Sequence, residues 1–321
     1  MTLREWLAQA EAQLSDGPHP DRAKRDAETL LMHLIGKNKA WLMAHAEDDF
    51  AGCAAIRYAS LLERRRKGEP IQYITGECEF YGLPFRVTPD VLIPRRETEH
   101  LVEHVLALAT HSGAPYLEDM RERSPDLGAP SFRRPLPEGW ESTNSAPSMR
   151  ILDVGTGSGA IAIALATKLP SAILTATDIS QPALALAVEN ATRNNAVDKI
   201  RFLQGDLLAP VVGEQFEIIA SNPPYVPNTD RALISVEVRE HEPAVALFDG
   251  EDGLDIYRRL IPDAHAALVP GGFIVFEFGF SQMPDVESLL KSAGFQNIEF
   301  IHDLQGIPRI ASAQKNWISN Q

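Results

Sequence analysis

Residues 151–160 of the chain read Ile-Leu-Asp-Val-Gly-Thr-Gly-Ser-Gly-Ala. A mostly apolar segment ends at the first glycine and a helical pattern begins at Ala160, which predicts a buried strand, a tight turn and a helix. Glycines let such a turn approach a ligand closely, and the helix N-terminus offers unpaired N–H donors. The G-x-G-x-G spacing differs from the G-x-G-x-x-G of dinucleotide sites, and no P-loop lysine follows it.

Strand-like and helix-like segments alternate after this turn. A second strand is predicted at residues 173–178 and a second helix at 181–195, and further strands are predicted at 200–203, 216–220 and 272–277. This alternation is typical of a doubly wound, Rossmann-like α/β domain, which binds ligands at the carboxyl ends of its strands.

Acidic residues stand at the ends of the first three of these strands. Asp153 precedes the glycines, Asp178 ends the second strand and Asp206 follows the third. Asp178 suits the hydroxyls of a ribose, and Asp206 is placed to reach an adenine edge. Because no set of phosphate-binding cations accompanies these acids, they favour S-adenosylmethionine over a nicotinamide dinucleotide as the cofactor. In the simpler alternative, Asp178 only caps the helix that follows it.

A second motif, Asn-Pro-Pro-Tyr, occupies residues 222–225 after the fourth predicted strand. Its prolines stiffen the turn and remove backbone donors. The side-chain oxygen of Asn222 and the carbonyl of Pro223 can together accept both N–H groups of an amide or aromatic amine, on which Tyr225 can stack. Hydrogen bonds to both N–H groups localise the nitrogen lone pair toward a methyl donor. Most of the catalysis would therefore come from positioning this nitrogen against the donor. Asn222, Pro223, Pro224 and Tyr225 are therefore the predicted catalytic residues, although a plain proline turn is the alternative.

The chain divides into three predicted parts. Residues 1–75 have the apolar periodicity of helices and residues 76–94 read as a β-hairpin linker, which leaves residues 95–321 as the catalytic domain. Within the last part, residues 110–149 are rich in proline, glycine and serine, and we expect them to form a mobile insertion.

Composition narrows the class of protein further. The 321 residues include 30 Lys and Arg against 44 Asp and Glu, a net charge of −14 that argues against stable nucleic-acid binding. The two cysteines and the scattered histidines predict no metal site. Neither a signal peptide nor a long apolar run is apparent, so we expect a cytoplasmic protein without a membrane segment.

Several segments together resemble one family. The stretches at residues 65–76, 92–99 and 241–254, with the glycine loop and the tetrad at residues 222–225, are similar to the HemK/PrmC family of release factor glutamine methyltransferases. The resemblance implies a class I methyltransferase domain preceded by a small helical domain. It also implies transfer of a methyl group from S-adenosylmethionine to the glutamine of the Gly-Gly-Gln loop of peptide chain release factors. No residue pattern indicates the oligomeric state, for which we favour a monomer.

The resemblance further implies roles for single residues. The residues that would contact the cofactor are Asp153, Gly155, Thr156, Gly157, Ser158, Gly159, Asp178, Asp206, Leu207 and Asn222. Among them, Asp206 and Leu207 would flank the adenine, and Asn222 would bridge cofactor and substrate. The rest of the tetrad would hold the glutamine side chain, and residues 1–75 would help to dock the release factor.

Three matters stay open at the level of sequence. The substrate glutamine could belong to a ribosomal protein instead, and the tetrad also occurs in enzymes that methylate the amino group of adenine. A binding module without turnover is a further alternative. The basic run at residues 64–67 could contact the partner or simply end a solvated helix.

Overall fold

A computed structural model describes residues 1–111 and 149–317. The N-terminal part is helical, as predicted, and consists of α1 (Leu3–Ser15), α2 (Ala23–Ile35), α3 (Lys39–Ala44), α4 (Cys53–Arg66) and α5 (Ile71–Thr75). Helix α1 begins at a capping box, in which Thr2 and Glu5 each accept the other's backbone N–H. The helices bury a core of their own, in which the Tyr58 hydroxyl donates to the carbonyl of Ala27 at 2.9 Å.

The predicted hairpin is shorter in the structure. Strands β1 (Glu77–Phe80) and β2 (Leu83–Arg86) pair in antiparallel register around a tight turn. Residues 87–95 continue without regular structure, because Pro89 and Pro94 lack the N–H groups that a ladder needs. Val87, Val91 and Ile93 are nevertheless buried, so this segment packs against the catalytic domain.

The catalytic domain is built on a seven-stranded sheet that confirms the predicted class I methyltransferase fold. Its strands are β3 (Arg150–Val154), β4 (Ile173–Asp178), β5 (Ile200–Gln204), β6 (Phe216–Ser221), β7 (Leu268–Glu277), β8 (Phe295–His302) and β9 (Pro308–Lys315). The spatial order is 5-4-3-6-7-9-8, and the first five of these strands are parallel. The sequence analysis missed β8 and β9, which form the antiparallel edge.

Helices cover both faces of this sheet. They are α6 (Glu99–His111), α7 (Ala160–Lys168), α8 (Gln181–Arg193), α9 (Val236–His241), α10 (Asp255–Ala267) and α11 (Met283–Ser292). Two large apolar clusters fill the two interfaces. Helix α6 extends through Thr110 and His111, which the predicted insertion had included, and residues 112–148 of that prediction lie outside the described part of the chain. No helix in residues 1–111 or 149–317 is long and apolar enough to cross a membrane.

The basic run at the end of α4 is tied to acidic groups of the same chain. Arg64 pairs with Glu69, and Arg66 with Glu63. Arg65 is only 2% exposed; its guanidinium donates to Asp26 at 2.7 Å and, across the domain boundary, to Glu237 of α9 at 2.8 Å. This pairing favours the structural interpretation of the run over contact with a partner.

Replacing Arg65 by alanine is expected to lower the free energy of unfolding by about 3–5 kcal/mol, because buried Asp26 would lose its counter-charge. The measurement is urea unfolding followed by circular dichroism. The matched control is Arg57→Ala, at an exposed position of the same helix, which should change stability by less than about 0.5 kcal/mol. Equal stabilities of the two variants would contradict the structural role of the ion pair.

Candidate active site

A cavity of about 300 Å³ opens at the carboxyl ends of the parallel strands, within the size range of small-molecule sites. The residues that line its sheet side are Gly155, Thr156, Gly157, Ser158, Asp178, Asp206, Leu207, Asn222, Pro223 and Pro224. The opposite wall comes from the segment after the hairpin and includes Val91, Leu92, Pro94, Arg95 and Thr98. Most of the predicted site residues therefore meet at one place.

The glycine loop forms the floor of the cavity. The amides of Gly155 and Thr156 both donate to the carbonyl of Thr177 at 2.9 Å, which folds the loop over the end of β4. Gly155 and Gly157 have φ values of +71° and +54°, and a Cβ built on either would meet no atom within 4 Å. Open space beside bare backbone in a cavity edged by carboxylates fits a nucleoside cofactor with an amino acid tail.

Asp178 holds the loop against the strand that follows it. Its side chain accepts from the amide of Gly157 at 2.8 Å and from the amide of Ser180 at 2.8 Å. Burial raises the pKa of Asp178, while the backbone N–H donors act in the opposite direction. Ser180 itself caps α8, so Asp178 is not the cap that the simpler alternative required.

Two of the predicted cofactor contacts do not line the cavity. Asp153 is fully buried behind the glycine loop, where it accepts from the Thr156 hydroxyl at 2.7 Å and from the Ala162 amide at 3.1 Å. Gly159 starts α7, and a Cβ there would lie 2.8 Å from the Ile163 side chain. In the structure both residues shape the loop from behind, and their predicted direct contacts with the cofactor stay predictions.

The buried carboxyl of Asp153 makes stability depend on pH. Burial raises its pKa to about 7, whereas an unfolded Asp titrates at about 3.9. Because the folded protein keeps a proton that the unfolded chain releases between these values, this group lowers the free energy of unfolding as the pH rises through that window. Asp153→Asn is therefore expected to gain stability relative to the wild type between pH 5 and pH 8. Urea unfolding at both pH values measures the stability of the variant and the wild type. The control Asp198→Asn, at an exposed position, should follow the wild type. If the stability of Asp153→Asn changed with pH in the same way as that of the wild type, the assignment would be refuted.

Asp206 and Leu207 lie at the rim of the cavity. Asp206 forms an ion pair with Arg259 of α10, which also lines the cavity. Leu207 has a φ of +48°, a conformation that apolar side chains seldom adopt, and its carbonyl accepts from the Thr177 hydroxyl at 3.0 Å. The sequence analysis did not anticipate Arg259, whose cation reduces the negative charge at this edge.

Asn222 lies where β6 ends beside the glycine loop. The Ser221 hydroxyl donates to the carbonyl of Val154 at 2.8 Å, which joins the ends of β6 and β3. The Asn222 amide nitrogen donates to the Thr98 hydroxyl at 3.0 Å. One N–H of this nitrogen is used by Thr98, and Oδ1 is an acceptor that a ligand in the cavity can use.

Tyr225 is not among the residues that line the cavity, and its predicted stacking on the substrate amide stays a prediction. Its hydroxyl donates to Glu277 at 3.0 Å. Glu277 ends β7 and is 3% exposed, and its second oxygen accepts from the Thr98 hydroxyl at 2.6 Å. Burial raises the pKa of Glu277, which the two hydroxyl donors partly offset. Pro223 and Pro224 remain as cavity wall.

The backbone of the tetrad is clamped from behind by Gln282. Its amide nitrogen donates to the carbonyls of Tyr225 and Gly253 at 3.0 Å each. Gly253 has a φ of +73°, and a Cβ on it would lie 2.2 Å from the Tyr225 carbonyl oxygen. Only glycine therefore fits at this position.

Gly253→Ala is expected to lower the free energy of unfolding by about 2–5 kcal/mol, from backbone strain together with the steric clash. The matched control is Gly213→Ala, because Gly213 has a similar φ of +84° with nothing within 4 Å of the added Cβ. The control isolates the backbone cost of about 1–2 kcal/mol. Thermal and urea unfolding measure the stability of both variants. Equal losses of stability would show that the clash with the Tyr225 carbonyl adds nothing to the backbone cost.

The wall segment is held in place by Glu242, which the sequence analysis quoted only as part of a resembling stretch. This buried carboxylate pairs with Arg95 and accepts from the Ile93 amide at 3.2 Å. Thr98, Glu277, Gln282 and Arg259 were also missed as site residues. Within residues 1–111 and 149–317 no group of three or more metal-ligating side chains comes together.

Known protein families match both the helical part of this chain and its catalytic domain. The family model described as the PrmC N-terminal domain matches residues 5–76, and that of the methyltransferase small domain matches residues 140–238. The release factor glutamine methyltransferase of Koribacter versatilis is 38% identical over 98% of this chain and 99% of its own length. The protein of the same name from Salmonella typhimurium is 36% identical over 97% and 98%.

Among solved structures, the hMettl16 catalytic domain aligns with a TM-score of 0.52 at 15% identity, covering 83% of this chain and 82% of that one, which concerns the fold alone. Fold and site together define an S-adenosylmethionine-dependent class I methyltransferase. Given the identity to relatives along nearly the whole length, the chain belongs to the release factor glutamine methyltransferase family.

Proposed function

We propose that this enzyme transfers a methyl group from S-adenosylmethionine to the side-chain amide nitrogen of the glutamine in the Gly-Gly-Gln loop of peptide chain release factors. The observation that carries the proposal is the orientation of the Asn222 side-chain amide, whose nitrogen donates to the Thr98 hydroxyl at 3.0 Å. This leaves Oδ1, beside the wall formed by Pro223, as an acceptor for a substrate amide. The family membership supports the choice of substrate.

The chain's contribution is to position a weak nucleophile. An amide nitrogen is unreactive because its lone pair is delocalised into the carbonyl. The cofactor supplies the methyl group from a sulfonium. Asn222 Oδ1 and the Pro223 carbonyl would each accept one N–H of the glutamine amide, which localises the lone pair toward the cofactor side of the cavity. In the transfer the methyl–sulfur bond would break as the carbon–nitrogen bond forms, so the cofactor would leave as the neutral thioether S-adenosylhomocysteine and the amide nitrogen would lose one proton to solvent.

The cofactor would occupy the sheet side of the cavity. Gly155, Gly157 and the neighbouring side chains of Thr156 and Ser158 would contact its amino acid and ribose portions, with Asp178 at the ribose hydroxyls. Asp206 and Leu207 would flank the adenine. Asn222, at the meeting point of both subsites, would contact cofactor and substrate.

The N-terminal helices would help to dock the release factor. Residues 1–75 form this docking domain in our proposal, residues 76–94 the linker and residues 95–321 the catalytic domain. The buried contact of Arg65 with Glu237 supports the arrangement, because it couples the helices to the segment that follows the tetrad. We expect the enzyme to act as a monomer in the cytoplasm, where translation takes place.

Nucleic acid is the less favoured substrate. The net charge is −14, and the two arginines that line the cavity, Arg95 and Arg259, are each paired with a carboxylate. A protein that extracts a base from a duplex needs a basic surface instead. A glutamine of a ribosomal protein would suit the same acceptors, so substrate identity requires a direct test.

The test offers labelled S-adenosylmethionine with three acceptors in parallel. These are purified release factor, its Gly-Gly-Gln→Gly-Gly-Ala variant and unmethylated DNA. We expect label on the intact release factor alone. Label on the alanine variant would contradict the glutamine assignment, and label on DNA would contradict the substrate class.

A further inference from the structure

A buried chain of hydrogen bonds joins two residues of the tetrad through the end of β7. It runs from Tyr225 to Glu277, then to Thr98 and finally to Asn222. The Tyr225 hydroxyl contacts one oxygen of Glu277 at 3.0 Å, and the Thr98 hydroxyl contacts the other at 2.6 Å. The Asn222 amide then contacts Thr98 at 3.0 Å. Thr98 is 4% exposed and Glu277 3% exposed, so the chain is shielded from water on its inner side.

When Glu277 is ionised, counting donors gives the direction of every bond in this chain. An ionised carboxylate only accepts, so the single hydroxyl protons of Tyr225 and Thr98 then both point at Glu277. The Thr98 oxygen then has no proton left for Asn222 and can only accept from it. The amide of Asn222 must therefore turn its nitrogen inward and leave its oxygen for the cavity.

We propose that Glu277 and Thr98 are positioning residues that set which atom Asn222 presents to the substrate, and that they thereby select glutamine over glutamate. The inference rests on the proposed function. With Oδ1 presented, Asn222 accepts from the NH₂ group of glutamine but faces the carboxylate of glutamate with a partial negative charge. With the amide reversed, the same residue would donate to a carboxylate and repel the NH₂ group.

Thr98→Val tests this because valine keeps the shape of threonine and removes the acceptor. We expect kcat/KM on release factor to fall about tenfold to hundredfold, since a buried amide loses its partner, with the loss mainly in kcat. A release factor carrying Gly-Gly-Glu, which cannot be methylated on nitrogen, should become a stronger competitive inhibitor of the variant than of the wild type. Thr98→Ser retains the hydroxyl and should restore both values to within about threefold.

Glu277→Met provides a second, independent variant. Without the carboxylate, the Thr98 hydroxyl is free to donate to Asn222 as well as to accept from it, so both orientations of the amide become available. The same pair of changes is expected: lower kcat/KM for the Gly-Gly-Gln substrate and tighter inhibition by the Gly-Gly-Glu protein. Affinity for S-adenosylmethionine, measured by calorimetry, should change less than kcat/KM does, because the predicted ribose and glycine-loop contacts are unchanged and only the Asn222 contact is altered.

The possible outcomes distinguish a failure of the positioning role from a failure of the proposed function. If the wild type methylates release factor but Thr98→Val matches Thr98→Ser in rate and inhibition, the positioning role is refuted. A folded Glu277→Met enzyme with unchanged discrimination refutes it as well, even where Thr98→Val fails to fold. If the wild type transfers no label to release factor, the proposed function falls and the inference falls with it.

Discussion

Asn222→Ala is expected to lower kcat for methyl transfer about 10²- to 10³-fold, the range seen when one preorganised hydrogen-bonding group is removed from an active site. Alanine deletes the Oδ1 acceptor that would hold the substrate amide and the nitrogen that contacts Thr98. The remaining acceptor, the Pro223 carbonyl, holds only one N–H, so the lone pair is no longer directed. Steady-state kinetics with release factor and labelled cofactor measure the effect.

The fold should survive this substitution, because Asn222 is a half-buried side chain at the mouth of a cavity. Asn228→Ala, at an exposed position just beyond the tetrad, is the matched control and should keep wild-type kinetics. Near-normal turnover of Asn222→Ala would remove Asn222 from the catalytic role assigned to it.

Asp178→Ala is expected to weaken binding of S-adenosylmethionine about tenfold to hundredfold, as charge-assisted hydrogen bonds to a ribose are lost. The variant also loses the acceptor for the Gly157 amide at 2.8 Å, so the glycine loop is less well ordered for the ligand. Titration calorimetry with the full chain gives the dissociation constant directly.

The control for this variant is Asp198→Ala, which removes the same charge at an exposed position after α8. Its affinity for the cofactor should equal that of the wild type. An unchanged dissociation constant for Asp178→Ala would show that this carboxylate only organises the loop and does not contact the ribose.

The sequence was sufficient to predict the arrangement at the centre of the catalytic domain. The glycine loop and Asp178 follow buried parallel strands, and parallel strands bring their carboxyl ends to one edge. The tetrad at the end of β6 reaches the same edge because β6 pairs with β3. Local pattern therefore predicted the sheet side of the cavity, but not the opposite wall that residues 91–98 form.

Contacts between distant segments were not predictable in this way. Thr98 and Glu277 are 179 positions apart, and nothing in either local pattern indicates that one carboxylate joins Thr98 to Tyr225. Asp153 is in register with Ala176, two residues before the Asp178 that ends β4, and its side chain is fully buried. A position near a strand end therefore does not by itself predict whether a side chain reaches the cavity.

The two missed strands have a similar explanation. Strand β8 reads Phe-Gln-Asn-Ile-Glu-Phe-Ile-His and is mostly half-buried or exposed, so it lacks the continuous apolar run of the central strands. Its partner β9 lies between β7 and β8, although it comes last in the sequence. The edge strand β8, and β9 with which it pairs, depend on tertiary pairing more than on their own pattern.

Mass spectrometry of release factor after reaction with the enzyme and S-adenosylmethionine tests the central claim most directly. The account predicts one added methyl group, located by peptide fragmentation on the side-chain nitrogen of the glutamine in Gly-Gly-Gln. It also predicts that this modification disappears with Asn222→Ala. A methyl group on any other residue, or an unmodified release factor in the presence of a folded enzyme that binds the cofactor, would contradict it.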